Sequence, residues 1–184
     1  MGERRLATYD DVVSAPRHVV AELVQGVLHT HPRPRLKHAA AASALGEELG
    51  PPFRRGRGGP GGWVLLDEPE LHLGEDVLVP DLAGWRRERM PELPDAPYAT
   101  LAPDWICEVL SKSTEAFDRA TKLPIYGHER VRHVWLVDPE VKTLEVFRLE
   151  TEHYLLVATH SGDAGVRAEP FEAIELELGL LWSV

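Results

Sequence analysis

Cysteine is almost absent from this chain of 184 residues, in which Cys107 is the only one. A single cysteine can form neither an internal disulfide nor a zinc site built from cysteines, so Cys107 is expected to be a small buried apolar residue. The chain also lacks an apolar run of about eighteen residues, the minimum for crossing a bilayer. Because residues 1–5 lead into polar sequence rather than into the apolar block of a signal peptide, the sequence favours a cytoplasmic protein without a membrane partner.

Positive charge is scarce as well, since 20 Lys and Arg stand against 30 Asp and Glu and the net charge is −10. This balance argues against a generic nucleic-acid coat protein, but not against an enzyme that acts on nucleic acid, because local placement of charge matters more than its sum. Either one face is positive or the charges are scattered over a solvated surface. The basic residues in loop-like stretches of the first half are Arg33, Arg35, Lys37, Arg54, Arg55, Arg57, Arg86, Arg87 and Arg89.

The pattern of apolar residues predicts a single α/β domain over residues 1–184 with a mixed sheet. An alanine-rich helix is expected at 36–49, where Gly50-Pro51-Pro52 stops it, and a second helix runs from about 114 to 128 with a kink at Pro124. The core order is helix, three strands, helix, strand, with β-hairpins added at both ends. Strands are predicted at 19–24, 27–31, 63–66, 70–73, 77–85, 105–110, 133–137, 143–149, 154–159 and, more weakly, 174–178.

Two acidic residues stand within or at the end of apolar runs. Asp81 ends the run Val79-Pro80-Asp81, and Glu108 lies inside the predicted strand 105–110. A buried charge without a partner is costly, so such carboxylates are neutralised or bound. If the two strands pair, Asp81 and Glu108 lie side by side, and two carboxylates in that position suit Mg²⁺ or Mn²⁺ with water on the remaining positions of the ion.

The second helix carries Asp118, Lys122 and Tyr126 at four-residue steps, which places them in one polar stripe. Facing the open edge of the sheet, Lys122 would orient an attacking water or stabilise charge in the transition state. The alternative is an exposed ion pair between Asp118 and Lys122, which contributes only about 0.3 kcal/mol.

In this order along the chain, the residues resemble the Uma-type family, a bacterial family described as restriction endonucleases of the PD-(D/E)xK nuclease superfamily. The resemblance spans about residues 22–147. The segments that carry it are residues 22–26 (Glu-Leu-Val-Gln-Gly), His38, residues 79–81 (Val-Pro-Asp), residues 108–111 (Glu-Val-Leu-Ser), Asp118 with Lys122 and Tyr126, and residues 134–139 (Val-Trp-Leu-Val-Asp-Pro).

The resemblance implies a restriction-endonuclease-like core and metal-dependent hydrolysis of phosphodiester bonds. It also implies Asp81 and Glu108 as metal ligands, with the backbone carbonyl of Val109 as a further ligand. One departure from the superfamily pattern is plain, because the position of its strand lysine is Leu110. Family members resemble the superfamily with this lysine displaced onto the next helix, so Lys122 takes the catalytic role. Lys112 is a poorer substitute because it lies beyond the predicted strand end.

Each further candidate has a purely structural interpretation beside the functional one. Glu22 lies either at the rim of the site or on a surface strand, and His38 either touches the metal water or a phosphate or is a core histidine. Glu70 is an accessory metal ligand or an ordinary hairpin glutamate. His29 and His31 share a strand face, but a zinc site needs a third ligand at sensible spacing, which the sequence lacks.

The partner implied by this reasoning is DNA, and a two-fold dimer would match the symmetry of a duplex. Arginines in loops can contact phosphates, and the candidates are Arg54, Arg55, Arg57, Arg86 and Arg87. Two other functions stay open. A non-catalytic module that binds nucleic acid or protein with the same fold is favoured by Leu110 and the acidic total, whereas a hydrolase of small phosphoesters has little support, because no phosphate-binding glycine loop precedes a helix.

Overall fold

The computed structural model describes residues 5–183, whose regular elements follow the predicted alternation closely. The strands are β1 (Val19–Val24), β2 (Val27–Pro32), β3 (Trp63–Asp67), β4 (Leu71–Leu73), β5 (Asp76–Leu78), β6 (Leu82–Arg86), β7 (Trp105–Val109), β8 (His133–Asp138), β9 (Thr143–Glu150), β10 (His153–Ser161), β11 (Gly165–Val166) and β12 (Leu176–Glu177). The helices are α1 (Tyr9–Val13), α2 (Leu36–Leu49), α3 (Glu115–Phe117) and α4 (Leu123–His128), with π-helical turns at Gly50–Arg54 and Asp118–Lys122 and a 3₁₀ helix at Leu178–Leu181.

A six-stranded sheet with the order β10-β9-β8-β7-β6-β3 forms the centre of the protein. Its β7 and β8 are parallel and joined by α3–α4, while the other neighbours are antiparallel, so the predicted α/β fold with a mixed sheet is confirmed. A second sheet has the order β2-β1-β5-β4, and β11 pairs with β12. None of the described helices has the length and apolar character that crossing a membrane requires.

The two faces of the central sheet bury different partners. On one face Trp105, Cys107 and Val109 of β7 pack with Ala41 and Leu45 of α2 in one apolar cluster. On the other face Ile106 and Leu110 join a cluster with Ile125 and Tyr126 from α4. Because residues alternate along a strand, Glu108 lies on the face of α3–α4, which is how an acid in an apolar run comes to face the following helix.

The first hairpin forms as predicted. β1 and β2 pair from Val24 with Val27 outward, and the turn residues Gln25 and Gly26 have φ of 51° and 73°. Positive φ at both central positions is the requirement of the tight turn whose twist matches the flanking strands. This pairing fixes which side chains of β1 face inward, and Glu22 is one of them.

Four predicted features differ from the structure, although the predicted bounds of α2 are confirmed. Residues 77–85 are not one strand, because the chain breaks at Pro80, so that β5 stays with β4 while β6 enters the central sheet. The helix at 36–49 is not stopped by Gly50-Pro51-Pro52 but continues as a π-helical turn to Arg54. Residues 174–178 form only the short β12 before a 3₁₀ helix.

The fourth difference lies in the second helix. The kink expected at Pro124 is a π-helical turn over Asp118–Lys122, which ends two residues before this proline. Pro124 has no N–H for the carbonyl of the preceding turn, and a wider turn accommodates that loss. The segment after it, α4, has Pro124 in its first turn, a position where the missing N–H costs nothing.

Candidate active site

A cleft of about 560 Å³ opens where β7 and β8 end and where β6 begins. Its floor is acidic, being lined by Glu22, Asp81, Glu108 and Asp118 together with Lys122. The four acids come from β1, the start of β6, β7 and the π-helical turn, elements that are distant in sequence. The fold therefore concentrates negative charge in one place although the chain disperses it.

Asp81 and Glu108 are neighbours, as their strand positions require. Leu82 pairs with Cys107, so the next position along the antiparallel pair sets Asp81 beside Glu108. The backbone N–H of Val109 donates to Oδ2 of Asp81 over 2.7 Å and holds that carboxylate at the strand end. The break at Pro80 leaves Asp81 outside the ladder, with its side chain free to turn toward the cleft.

Lys122 is buried among the acids, with 3% of its side chain exposed. Its Nζ lies 2.7 Å from Oε1 of Glu108, 3.1 Å from Oε1 of Glu22 and 3.7 Å from Oδ1 of Asp118. The alternative of an exposed surface pair is therefore wrong for Asp118 and Lys122. The side chain of Lys122 reaches from its helix to Glu108 on β7, which a lysine displaced from the strand to the helix must do to take the same role.

Tyr126 completes the contacts of Glu108. Its hydroxyl donates to Oε1 of Glu108 over 2.5 Å, so this one oxygen receives both the phenol and the ammonium of Lys122. Oε2 of Glu108 accepts no hydrogen bond from any residue in 5–183. The two donors thus fix the orientation of the carboxylate and leave its other oxygen for the cleft.

Glu22 lies deep in the site rather than at its rim or on a surface strand, and only 2% of it is exposed. Oε1 of Glu22 accepts the backbone N–H of Val79 over 2.8 Å in addition to contacting Lys122. Sequence reasoning missed this depth. The available signal was the position of Glu22 between apolar neighbours on both sides in β1.

His38 joins the site from α2. Its Nε2 lies 3.3 Å from Oδ1 of Asp81, while its Nδ1 is buried without a hydrogen-bond partner among residues 5–183. Burial alone would lower the pKa of His38, but the hydrogen bond and charge of Asp81 outweigh it and raise the pKa. Since the ring contacts the proposed metal ligand rather than the core alone, the functional interpretation of His38 gains support over the core histidine.

The chain matches one family model over residues 6–180, and that family is Uma2, described as "Putative restriction endonuclease". The chain belongs to the Uma2 family. Its structure is similar to a crystal structure from Anabaena variabilis, described as "a putative nuclease belonging to DUF820", with a TM-score of 0.72 and 22% identity over 95% of this chain and 97% of that one. At this identity the likeness shows the fold. None of the curated proteins matches the chain.

Burial and crowding of like charges shift the ionisation of the cluster in this Uma2 protein. Burial raises the pKa of Glu108 well above its usual range against the opposing ammonium of Lys122, and the other acids add to the increase. Burial likewise raises the pKa of Asp118 to about 6. For Lys122, burial would lower the pKa, but Glu108 and Glu22 outweigh it and keep the lysine protonated.

The raised pKa of Asp118 predicts a pH dependence of stability. Between its ordinary value of 3.8 and about 6 the folded state binds more protons than the unfolded state. The free energy of unfolding without metal is therefore expected to fall as pH rises from about 4 to about 6, by on the order of 2 kcal/mol from this group. Urea unfolding at several pH values in the presence of a chelator measures it. Asp118→Asn should flatten this slope, and a variant slope equal to that of the wild type would contradict the assignment.

The donor chemistry of the site fits a hard divalent cation. Residues 5–183 contain no arrangement of three or more His, Cys, Asp or Glu side chains suited to hold a metal. Magnesium, however, is commonly held by one or two carboxylates and keeps several waters. Asp81 and Glu108 supply two carboxylates with the backbone carbonyl of Val109 nearby, and the excess of acids over the single ammonium of Lys122 favours a further positive charge.

Not every predicted residue lies in this cleft. Glu70 does not line it, and its Oε1 instead contacts the hydroxyl of Tyr9 at 2.7 Å and Nε2 of His72 at 2.8 Å. The rings of His29 and His31 pack on Phe117, at centroid distances of 4.6 and 5.0 Å, so the zinc alternative has no third ligand among the described residues.

The predicted phosphate-contacting arginines also lie outside the lining of the cleft. Arg54 ends the π-helical turn after α2, Arg55 and Arg57 follow it, and all three are exposed. The guanidinium of Arg86 stacks over the ring of Trp63 at 4.2 Å. Arg87 donates to the carbonyl of Trp63. Besides Lys122 and the histidines His31 and His38, the basic residues that line the cleft are Arg33, Arg35, Lys37 and Lys112.

Proposed function

We propose that this Uma2 protein is a metal-dependent endonuclease that hydrolyses phosphodiester bonds of DNA, with Mg²⁺ or Mn²⁺ as the cofactor. The observation that carries the proposal is the buried ammonium of Lys122 at 2.7 Å from Glu108, in a cleft that Asp81 also lines. An acid pair can hold the cation, and a lysine held against it adds a positive charge at the reacting group, so both can contribute to metal-assisted hydrolysis. The family description supports the same activity.

The proposed roles follow from the contacts. Asp81, Glu108 and the carbonyl of Val109 would hold the cation, which when bound polarises a phosphoryl oxygen and lowers the pKa of water. Lys122 places a fixed positive charge at the reacting phosphate. Tyr126 and Glu22 act as positioning residues, because they hold Glu108 and Lys122 in place, and His38 does the same for Asp81.

Plasmid DNA provides the direct test. Purified protein with magnesium is expected to convert supercoiled plasmid to nicked or linear forms, and Asp81→Ala and Glu108→Ala are each expected to abolish conversion. Gel electrophoresis measures the products. Cleavage that survives both substitutions would come from another site or from a contaminant, and the assignment of this cleft would then be wrong.

A second candidate is a binding module that retains the fold without catalysis. The observation in its favour is Leu110, which occupies the position of the strand lysine and is 2% exposed in the apolar cluster. Calorimetric titration with manganese separates the two, since a catalytic site should bind the ion and Asp81→Ala should abolish binding. Absence of metal binding at millimolar manganese would favour the binding module.

We also propose that the protein acts as a homodimer, because a two-fold axis would present two clefts to the two strands of a duplex. The edge strand β10 supports this, since Leu155 and Leu156 are 47% and 45% exposed there and an edge presents unpaired backbone groups. Sedimentation equilibrium should report twice the chain mass. In Leu155→Glu with Leu156→Glu the monomer mass is expected, and a monomeric wild type would reject the proposal.

A further inference from the structure

The mouth of the cleft is positive, in contrast to its floor. Arg33, Arg35 and Lys37 follow one another on the segment that joins β2 to the start of α2, and Lys112 lies on the segment after β7. All four side chains are exposed. A negative floor attracts a small cation, whereas a positive mouth attracts an extended anion. Together they describe a site for a polyanion whose chemistry is assisted by a metal.

The segment carrying the three cations is preorganised. Pro32 and Pro34 each fix φ near −65°, and Arg35 between Pro34 and the helix has φ −72° and ψ 161°, the extended polyproline conformation. The backbone here has little freedom to lose when a ligand binds. Cations on a backbone that is already fixed bind an anion at a smaller entropic cost than the same side chains on a mobile loop would.

Two of the cations contact carboxylates, and both contacts are weak. Nη1 of Arg33 lies 3.9 Å from Oε2 of Glu68, and Nζ of Lys37 lies 3.6 Å from Oε2 of Glu140. All four of these side chains are 46% exposed or more. Long, exposed ion pairs contribute close to nothing to stability, so an incoming anion can replace either carboxylate at little cost.

The other two cations, Arg35 and Lys112, make no ion pair with any residue in 5–183. Lys112 is followed on its segment by the hydroxyls of Ser113 and Thr114, which also line the cleft. Hydroxyls and basic side chains are the groups that bind phosphate oxygens in nucleic-acid complexes.

The size of the cleft agrees with a large ligand. A divalent ion with six waters needs about 200 Å³, at roughly 30 Å³ for each water. The cleft volume of about 560 Å³ leaves more than half of the space for another molecule. The basic residues stand at the mouth of this remaining space.

We propose that Arg33, Arg35, Lys37 and Lys112 form a clamp for the phosphate backbone of a nucleic acid, and that Glu68 and Glu140 act as internal competitors for it. In the free protein Glu68 pairs with Arg33 and Glu140 pairs with Lys37. When nucleic acid binds, its phosphates replace the two glutamates. This inference deepens the proposed nuclease function by naming the residues that hold the substrate. Binding can nevertheless be measured without cleavage, so the two proposals stand or fall separately.

The clamp is tested by fluorescence anisotropy with a short labelled DNA duplex in a chelator, over a series of salt concentrations. Arg35→Ala and Lys112→Ala are each expected to weaken binding about eightfold near 0.1 M salt and to reduce the slope of log affinity against log salt by about 0.9. Glu68→Gln and Glu140→Gln should do the opposite and strengthen binding, because each frees one cation. A structural role of these exposed glutamates would not produce tighter binding.

Matched controls separate the clamp from overall charge. Arg132→Ala removes an exposed cation just before β8, at the opposite end of the strand from the cleft, and Glu152→Gln removes an exposed acid in the β9–β10 turn. Arg132→Ala should change the affinity for the duplex by less than Arg35→Ala or Lys112→Ala does. Glu152→Gln should likewise change it by less than Glu68→Gln or Glu140→Gln does. Equal effects of control and mouth variants, no duplex binding by the wild type, or a loss confined to Arg57→Ala would overturn the clamp.

The outcomes also separate the clamp from the nuclease proposal. Duplex binding that depends on Arg35 and Lys112, in a protein that cuts no DNA with magnesium, would support the clamp and reject the nuclease. Plasmid cleavage at limiting DNA that is unchanged in Arg35→Ala and Lys112→Ala would support the nuclease and reject the clamp.

Discussion

Lys122→Met is expected to destabilise the protein by about 3–5 kcal/mol, the usual cost of removing one partner from a buried ion pair, and to abolish DNA cleavage. Among residues 5–183, the ammonium of Lys122 is the one positive charge within 3.1 Å of both Glu22 and Glu108. Without this ammonium, Glu22 and Glu108 keep their hydrogen bonds to Val79 and Tyr126 but have no positive charge to balance their buried carboxylates. Urea unfolding at neutral pH measures the first effect and the plasmid assay the second.

A second substitution separates chemistry from folding. Lys122→Met combined with Glu22→Gln removes one of the two uncompensated acids and is expected to recover part of the lost stability. Cleavage should stay absent, because loss of one fixed charge at a reacting centre costs about 10²–10³ in rate even in a folded enzyme. Lys112→Met is the matched control for stability, since an exposed lysine contributes within about 0.5 kcal/mol. A folded double variant that cuts at the wild-type rate would remove Lys122 from the mechanism.

Glu108→Gln is expected to act in opposite directions on activity and on stability. Burial raises the pKa of Glu108, which means that its charged form is unfavourable in the folded protein, and Asp118, Asp81 and Glu22 add repulsion. The amide oxygen of glutamine can still accept from Tyr126 and Lys122. The metal-free variant should therefore unfold at a higher temperature than the wild type near pH 7, by about 2–4 °C for each kcal/mol gained.

The same variant should lose metal binding and cleavage, because an amide is a poor substitute for a carboxylate ligand. Differential scanning calorimetry in a chelator and manganese titration measure the two effects. Glu108→Ala serves as the comparison, since it leaves the hydroxyl of Tyr126 and the ammonium of Lys122 without their acceptor and should lower the unfolding temperature. A Glu108→Gln protein that is less stable than the wild type at pH 7 would show that ionised Glu108 contributes to folding.

Several parts of the fold were predictable because they depend on local chemistry. The bounds of α2 follow from alanine content and apolar spacing, and the β1–β2 hairpin follows from Gln25-Gly26. Trp105 and Trp135 each stand inside an apolar run of the sequence, and both are buried. The predictions that were wrong include the single strand across Pro80 and the stop at Gly50-Pro51-Pro52. At both places the chain has two local options, and the choice between them depends on which sheet or helix it packs against.

The candidate site also has a part that the sequence could predict and a part that it could not. Asp81 and Glu108 could be paired from the sequence, because strand alternation and adjacency are regular. Glu22 could not be placed, since its depth depends on β1 lying against the break at Val79, a contact between residues 57 positions apart. The arginines predicted to contact phosphate are not the ones that line the cleft, because composition shows that a loop is basic but not which cleft the loop lines.

The sequence by itself determined the type of elements, the face of β7 on which Glu108 stands and the membership of its residues in a recognisable family pattern, since each of these rests on spacing along a few neighbouring residues. Only the tertiary structure decided that three acids converge on the ammonium of Lys122 and that Arg33, Arg35, Lys37 and Lys112 surround them. The physical reason is that burial and pairing of charge depend on distances through space. Those distances are fixed only when segments that are remote in the chain pack against each other.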